Sequence, residues 1–219
     1  MLYDSVVDFT ILNHKKNCSD FSFFLQKNRK NIHPPGFFDC FLNKKSKLVF
    51  MHIDKCASTS VSNFCLKNDD FCDMSFRIKN IDKFNDYVRK NNYFFLAIIR
   101  NPIDRYISGI QEFIKRYNPS NDYIETNLKN NKFIFDEHTS PQYIFLSHCK
   151  YNLKYVKLDK NLSNKLSNIL GYDVNLGNCN YSSIHDKIYC NELYLKYLKD
   201  NKNFFDLYKK DFELFEASE

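Results

Sequence analysis

Two apolar runs of strand length, Leu48-Val49-Phe50-Met51-His52-Ile53 and Tyr93 to Ile99, are each followed at once by a polar turn and then by apolar residues at helical spacing. That order constrains the chain more than any other feature. A continuous apolar run suits a strand covered on both faces, which is the environment of a parallel sheet. After the first run, Val61, Phe64 and Cys65 stand at i, i+3 and i+4. After the second, Ile103, Tyr106, Ile107, Ile110, Ile114 and Tyr117 mark one helix face, and Asn118-Pro119 stops it. Ile81, Phe84 and Val88 have helical spacing too. Leu153 to Leu158 is a third strand candidate, and Leu162, Leu166, Ile169 and Leu170 form a stripe closed by Gly171. Helical text resumes at Leu193, Tyr197 and Leu198 and again at Phe205, Tyr208, Phe212 and Phe215. Alternating strands and helices predict an α/β domain whose central parallel sheet is flanked by helices.

Length and composition set the limits of that domain. With 219 residues, 43% of them hydrophobic and 17% aromatic, the chain has apolar material for one folded core. The expected organisation is a domain over 47–219 with 1–46 as an N-terminal extension packed on it; Phe21 to Leu25 is apolar, and Pro34-Pro35-Gly36 marks a break. No stretch approaches ~20 apolar residues. Met1 to Leu12 lacks a basic lead-in and is interrupted by Asp4 and Asp8, so no signal peptide is read and a cytoplasmic location is expected. The net charge of +6 reads as a lysine-rich solvated surface rather than a nucleic-acid footprint. The eight cysteines (18, 40, 56, 65, 72, 149, 179 and 190) form no C-x-x-C and no zinc-finger spacing, and are expected as reduced thiols. The phenylalanines and tyrosines read as core filling.

The chemistry concentrates in the turns after the first two strands. His52-Ile53-Asp54-Lys55-Cys56-Ala57-Ser58-Thr59-Ser60 has small side chains that let backbone N–H groups approach a ligand, hydroxyl donors at Ser58, Thr59 and Ser60, and a cation at Lys55. With the exposed N–H groups of the following helix it can cradle a phosphate. It is not a Walker A loop, because there is no glycine pair and the lysine precedes the small residues. A capped helix with an exposed lysine would show the same text. In Arg100-Asn101-Pro102-Ile103-Asp104-Arg105-Tyr106-Ile107-Ser108, Asn101 is an N-cap and Pro102 sits at the first helical position. Arg100 stands at the carboxyl end of a strand, where α/β sheets bind ligands, and its fork suits a phosphate. Ser108 lies two turns into the helix and can donate to the same anion; a strand-end salt bridge is the alternative for Arg100. Arg105 is expected at the surface or paired with Asp104. Two separated anion sites suit a nucleotide phosphorylated at two positions, and 3′-phosphoadenosine 5′-phosphosulfate (PAPS) is one that also carries a transferable group.

At these residues the sequence resembles the PAPS-dependent sulfotransferases, and within them the Golgi-type carbohydrate enzymes. Phe50 through Ser60 is similar to their 5′-phosphosulfate loop, and Ile99-Arg100-Asn101-Pro102 through Arg105 to Ser108 to their 3′-phosphate motif. His138-Thr139-Ser140-Pro141-Gln142 resembles a His-x-x-Pro-Gln element of the carbohydrate branch, Asn180-Tyr181-Ser182 an Asn-x-Ser element, and Tyr208 to Phe215 the family's last helix. Asp54 stands where the family has Pro, which implies a salt bridge to Lys55 or an extra carboxylate near the acceptor. Ala57 stands where it has Gly.

The resemblance implies a P-loop-like three-layer domain that moves a sulfuryl group from PAPS to an acceptor hydroxyl, with a carbohydrate as acceptor, adenosine 3′,5′-bisphosphate as product and no metal. Lys55 would neutralise the leaving oxygen. Lys55, Cys56, Ala57, Ser58, Thr59 and Ser60 would hold the 5′-phosphate, and Arg100 and Ser108 the 3′-phosphate. His138 is the first candidate for the base; His52 and Asp54 are alternatives, Asp136 and Glu137 are weaker ones, and His185, after the Asn-x-Ser segment, is a candidate contact to the nucleotide. Cys56 serves by its small size. Three other readings keep their own signatures: an ATP-dependent P-loop-like transferase, a non-catalytic binder of nucleotide or sulfated glycan, and a salt-sensitive binder of nucleic acid.

Overall fold

The computed structural model describes residues 37–77, 81–177 and 184–218. Asn180, Tyr181 and Ser182, the apolar run Phe21 to Leu25, the Pro34-Pro35-Gly36 break, Cys18 and Cys179 lie outside the described residues.

β1 (Phe37–Asn43) turns back into β2 (Leu48–Met51), and the two pair antiparallel with Phe41 opposite Phe50. After α1 (Ser58–Leu66), β3 (Phe71–Arg77) returns to the other edge of β1, again antiparallel. α2 (Ile81–Lys90) leads to β4 (Phe94–Ile99), which lies parallel to β2 with Met51 opposite Ala97. β5 (Leu153–Lys157) pairs parallel on the far side of β4. The sheet order is β3-β1-β2-β4-β5. The α/β expectation therefore holds for β2, β4 and β5, with a two-stranded antiparallel extension on one side. β1 falls within 1–46, so the later part of that segment is a strand of the sheet.

The continuous apolar runs occupy the middle of the sheet. All four residues of β2 and five of the six in β4 are buried. β1 and β3 carry polar residues such as Asp39 and Asp73 inside their apolar text, and this hid them as strands. His52 extends the ladder past β2, its N–H donating to the Asp39 carbonyl at 3.0 Å.

Asn101 and Pro102 start α3 (Pro102–Tyr117), and Asn118 ends it in the left-handed conformation. Its buried face is rotated from the expected isoleucine stripe. Arg105, Tyr106, Gly109, Ile110 and Phe113 are buried, whereas Ile103, Ile107, Ile114 and Tyr117 are half-buried. Gly109 explains the rotation: a Cβ there would lie 2.4 Å from the His138 carbonyl oxygen, so the helix backbone packs directly on that loop. α4 (Asn121–Lys129) and the five-residue α5 (Gln142–Leu146) follow. α6 (Leu162–Leu170) buries Leu162, Leu166 and Leu170, and its cap is Gly171 at φ 77°. The last helical text divides into α7 (Ile184–Tyr197) and α8 (Lys202–Ala217).

Two apolar clusters result. One surrounds the sheet; the other joins α3, α4, α7 and α8 through residues such as Tyr106, Ile124, Leu193, Phe204 and Tyr208. No helix among the described residues is long and apolar enough to cross a membrane.

Candidate active site

β2 and β4 are adjacent and parallel, so the turns after their carboxyl ends lie side by side. This pairing brings together residues 45 or more apart in sequence. The Arg100 guanidinium donates to the Lys55 carbonyl at 3.1 Å. Arg100 is half-buried, and that burial lowers the pKa of its guanidinium.

The first turn has an unusual backbone. Lys55 has φ 65° and Ala57 φ 58°, the left-handed region that a side chain disfavours. Ala57 is the N-cap residue of α1 and offers no side-chain cap, so the first N–H groups of that helix are not closed off by it. Ser58 is half-buried, Thr59 exposed and Ser60 buried. Cys56 turns inward: its N–H donates to the Ile53 carbonyl at 3.2 Å and its Sγ to Gln142 Oε1 at 3.0 Å. Burial pushes its thiol up to about 11, so it is held as a neutral S–H.

The expected Lys55–Asp54 pair is replaced by another. Lys55 Nζ donates to Glu112 Oε2 at 3.0 Å, reaching across to α3. Arg116 Nε donates to the other oxygen of Glu112 at 2.7 Å, and Arg116 lies 3.4 Å from Glu137 Oε1. Partial burial works against the charge of Glu112, but the bonds from Lys55 and Arg116 outweigh it and bring its pKa down to about 2. Asp54 turns instead to two histidines, with Oδ1 3.6 Å from His52 Nε2 and 3.9 Å from His138 Nε2. Its burial disfavours charge, but the His52 hydrogen bond and the positive fields of His138, His52 and Arg105 hold its pKa below the usual carboxylate range. For His52, desolvation is likewise outweighed by Asp54, and its pKa is raised.

His138 is almost wholly buried, at 3% exposure. Its Nδ1 lies 3.0 Å from Asp136 Oδ2 and 3.5 Å from Glu137 Oε1, which directs Nε2 to the Asp54 side. Asp136 also accepts the backbone N–H groups of His138 and Thr139, fixing the loop. Asp136, Glu137 and His138 are the residues among those described that could hold a metal ion, with ligand atoms within 4.8 Å of one another. Asp136 Oδ2, however, already faces the His138 ring N–H. Glu137 Oε2 is buried without a hydrogen-bond partner; burial and the neighbouring Asp136 raise its pKa.

Arg105 is not a surface residue. It is 1% exposed, and its guanidinium donates to three carbonyls: Asp54 at 2.9 Å, Ser140, and Glu137 at 3.4 Å. It thereby joins the first turn to the His138 loop. Ser108 is half-buried, one helical turn before Glu112 and on the same face. The side chain of His185 lies outside the described residues.

Gln142, Glu112, Arg116 and Asp211 were given no role from sequence. The fully buried Gln142 amide accepts from the Arg100 N–H at 2.9 Å and from Cys56 Sγ, and donates to the Arg100 carbonyl at 2.8 Å. Asp211 of α8 accepts the N–H groups of Gln142 at 2.6 Å and Tyr143 at 2.8 Å, holding the start of α5. A readable signal existed for Glu112. Arg105, Ser108, Glu112 and Arg116 make a polar stripe at helical spacing along α3.

By its fold and these two turns the protein falls in the class of α/β proteins that place ligand sites beyond the carboxyl ends of parallel strands. Within that class the chain belongs to the sulfotransferase family, whose model matches residues 38–216. No curated protein and no solved structure matches it.

Proposed function

We propose that the protein transfers a sulfuryl group from PAPS to a hydroxyl of a carbohydrate acceptor. The observation that carries this reading is the juxtaposition of the two strand-to-helix turns on neighbouring strands, linked by the Arg100–Lys55 contact. Family membership supports sulfuryl transfer. The carbohydrate acceptor is supported by the resemblance of His138 to Gln142 to the His-x-x-Pro-Gln element.

In this reading Ala57, Ser58, Thr59 and Ser60 take the 5′-phosphate through N–H and hydroxyl donors, with Cys56 shaping the turn behind them. Arg100 and Ser108 take the 3′-phosphate. Lys55 leaves Glu112 and neutralises the oxygen on which charge builds as the bisphosphate departs. Direct transfer needs only positioning and charge stabilisation from these side chains. His138 accepts the acceptor proton at Nε2, while Asp136 holds Nδ1 as the donor and steadies the resulting imidazolium.

Thermal unfolding with adenosine 3′,5′-bisphosphate, with AMP, and with ATP plus Mg²⁺ tests the donor assignment. A ligand at ~100 times its dissociation constant adds roughly 2.7 kcal/mol to the folded state. The bisphosphate is expected to stabilise most. A shift with ATP and Mg²⁺ alone would replace this reading with a kinase-like one. Sulfate transfer from labelled PAPS to neutral and acidic glycans then tests the acceptor, and transfer to neither would remove the carbohydrate assignment.

A further inference from the structure

The Gln142 side chain touches both turns and nothing in the proposed chemistry uses it. It is completely buried, and its amide makes three hydrogen bonds, two to the Arg100 backbone and one from the Cys56 thiol. The carbonyl oxygen takes a donor from each turn, so one atom fixes the distance between them. Asp211 holds the Gln142 main chain with a 2.6 Å hydrogen bond, so the amide is anchored independently of either turn.

We infer that Gln142 is a positioning residue that sets the separation of the two anion sites, and so selects a nucleotide with phosphates at both 3′ and 5′ positions. The inference rests on the reading of the two turns as one nucleotide's phosphate sites. The physics is that of a two-point ligand. Once one phosphate is seated, the other binds as an intramolecular event, and its effective concentration depends on the sites being correctly spaced. Loosening the spacing lowers the affinity of the two-phosphate ligand while leaving each single-phosphate ligand to its own turn. Arg100 gives a second tie through its guanidinium, but that group is also proposed for the 3′ site, whereas Gln142 is fully buried with its amide taken up by the two turns.

The test is calorimetric binding of adenosine 3′,5′-bisphosphate, 5′-AMP and 3′-AMP to the full chain and to Gln142→Met, which keeps the length of the side chain and removes its hydrogen bonds. In the unaltered chain the bisphosphate must bind more tightly than either monophosphate; if it does not, the nucleotide reading itself fails. In Gln142→Met the bisphosphate is expected to lose about tenfold or more, and the monophosphates less than about threefold. Equal losses for all three ligands, or none, would overturn the positioning role. Cys56→Ala supplies an independent arm that leaves the Gln142–Arg100 bonds intact. It should lower the bisphosphate preference by about threefold, in keeping with one lost hydrogen bond. An unchanged preference there would show that the Gln142 oxygen does not tie the turns together.

Discussion

The two strand-to-helix turns have the same job in the proposed reaction but open opposite resources. The turn after β4 is closed on itself: the Asn101 side chain accepts the Ile103 and Asp104 N–H groups, and Pro102 has no N–H to offer. A ligand there would be held by side chains, and Arg100 and Ser108 are the ones proposed for it. The turn after β2 does the reverse. Ala57 offers no side-chain cap, and Lys55 and Ala57 take left-handed conformations, the kind of backbone that can form an anion-binding concavity. A backbone cradle suits a phosphate that reacts, because its donors are fixed before the charge moves. A side-chain site suits one that only anchors.

Lys55→Ala gives the largest contrast between the turns. Turnover is expected to fall about 10²–10³-fold, as for loss of one preorganised donor to transition-state charge, with nucleotide affinity much less affected. Single-turnover kinetics beside calorimetry measure both; equal losses would make Lys55 a binding group. Arg100→Ala is the mirror image. It should weaken adenosine 3′,5′-bisphosphate about 10–100-fold, the range for a charged hydrogen-bonding group, and leave 5′-AMP nearly unchanged.

The tie between the turns and the His138 loop is expected to be structural. Arg105→Met removes the guanidinium donor of the Asp54 and Ser140 carbonyls and leaves the Glu137 carbonyl to the Ser140 N–H; it should lower the unfolding free energy by about 3 kcal/mol, read from urea denaturation. Acid stability sharpens the role of Glu112. Its folded pKa lies near 2, below the ordinary 4.5, so its contribution is fully present above about pH 4.5 and is lost as pH falls toward 2. Urea midpoints at pH 6 and pH 3 should differ less in Glu112→Gln than in the unaltered protein; an identical drop in both would dismiss the Lys55–Glu112–Arg116 network. The smallest effect belongs to Ala57→Gly. Relief of the left-handed conformation should stabilise by up to about 1 kcal/mol, offset in part by the greater freedom of glycine in the unfolded chain.

What could be read from sequence follows from which interactions are local. β2, β4 and α3 announce themselves because burial on both faces, or a cap and a proline, leave marks on consecutive residues. β1 and β3 did not, since a strand near the sheet edge mixes polar and apolar residues without a clean period. Arg105 was misplaced for a related reason. A helical arginine beside Asp104 looks solvated, and only the packing of Gly109 on the His138 loop turns that face inward. Gln142 and Asp211 were invisible as partners because their contact spans 69 residues, and nothing in the text of either segment refers to the other.

That long contact also orders events during synthesis. Both strand-to-helix turns and Gln142 leave the ribosome well before Asp211, so the residues proposed to hold the nucleotide emerge while the mount for the amide is still unmade. The anchor of Gln142 is therefore supplied from a distance, by the helix that is made last. On the proposed reading, a nascent chain stalled before residue 211 would carry the proposed phosphate donors without the Asp211 anchor, and two-phosphate binding is expected to arrive abruptly once α8 is made.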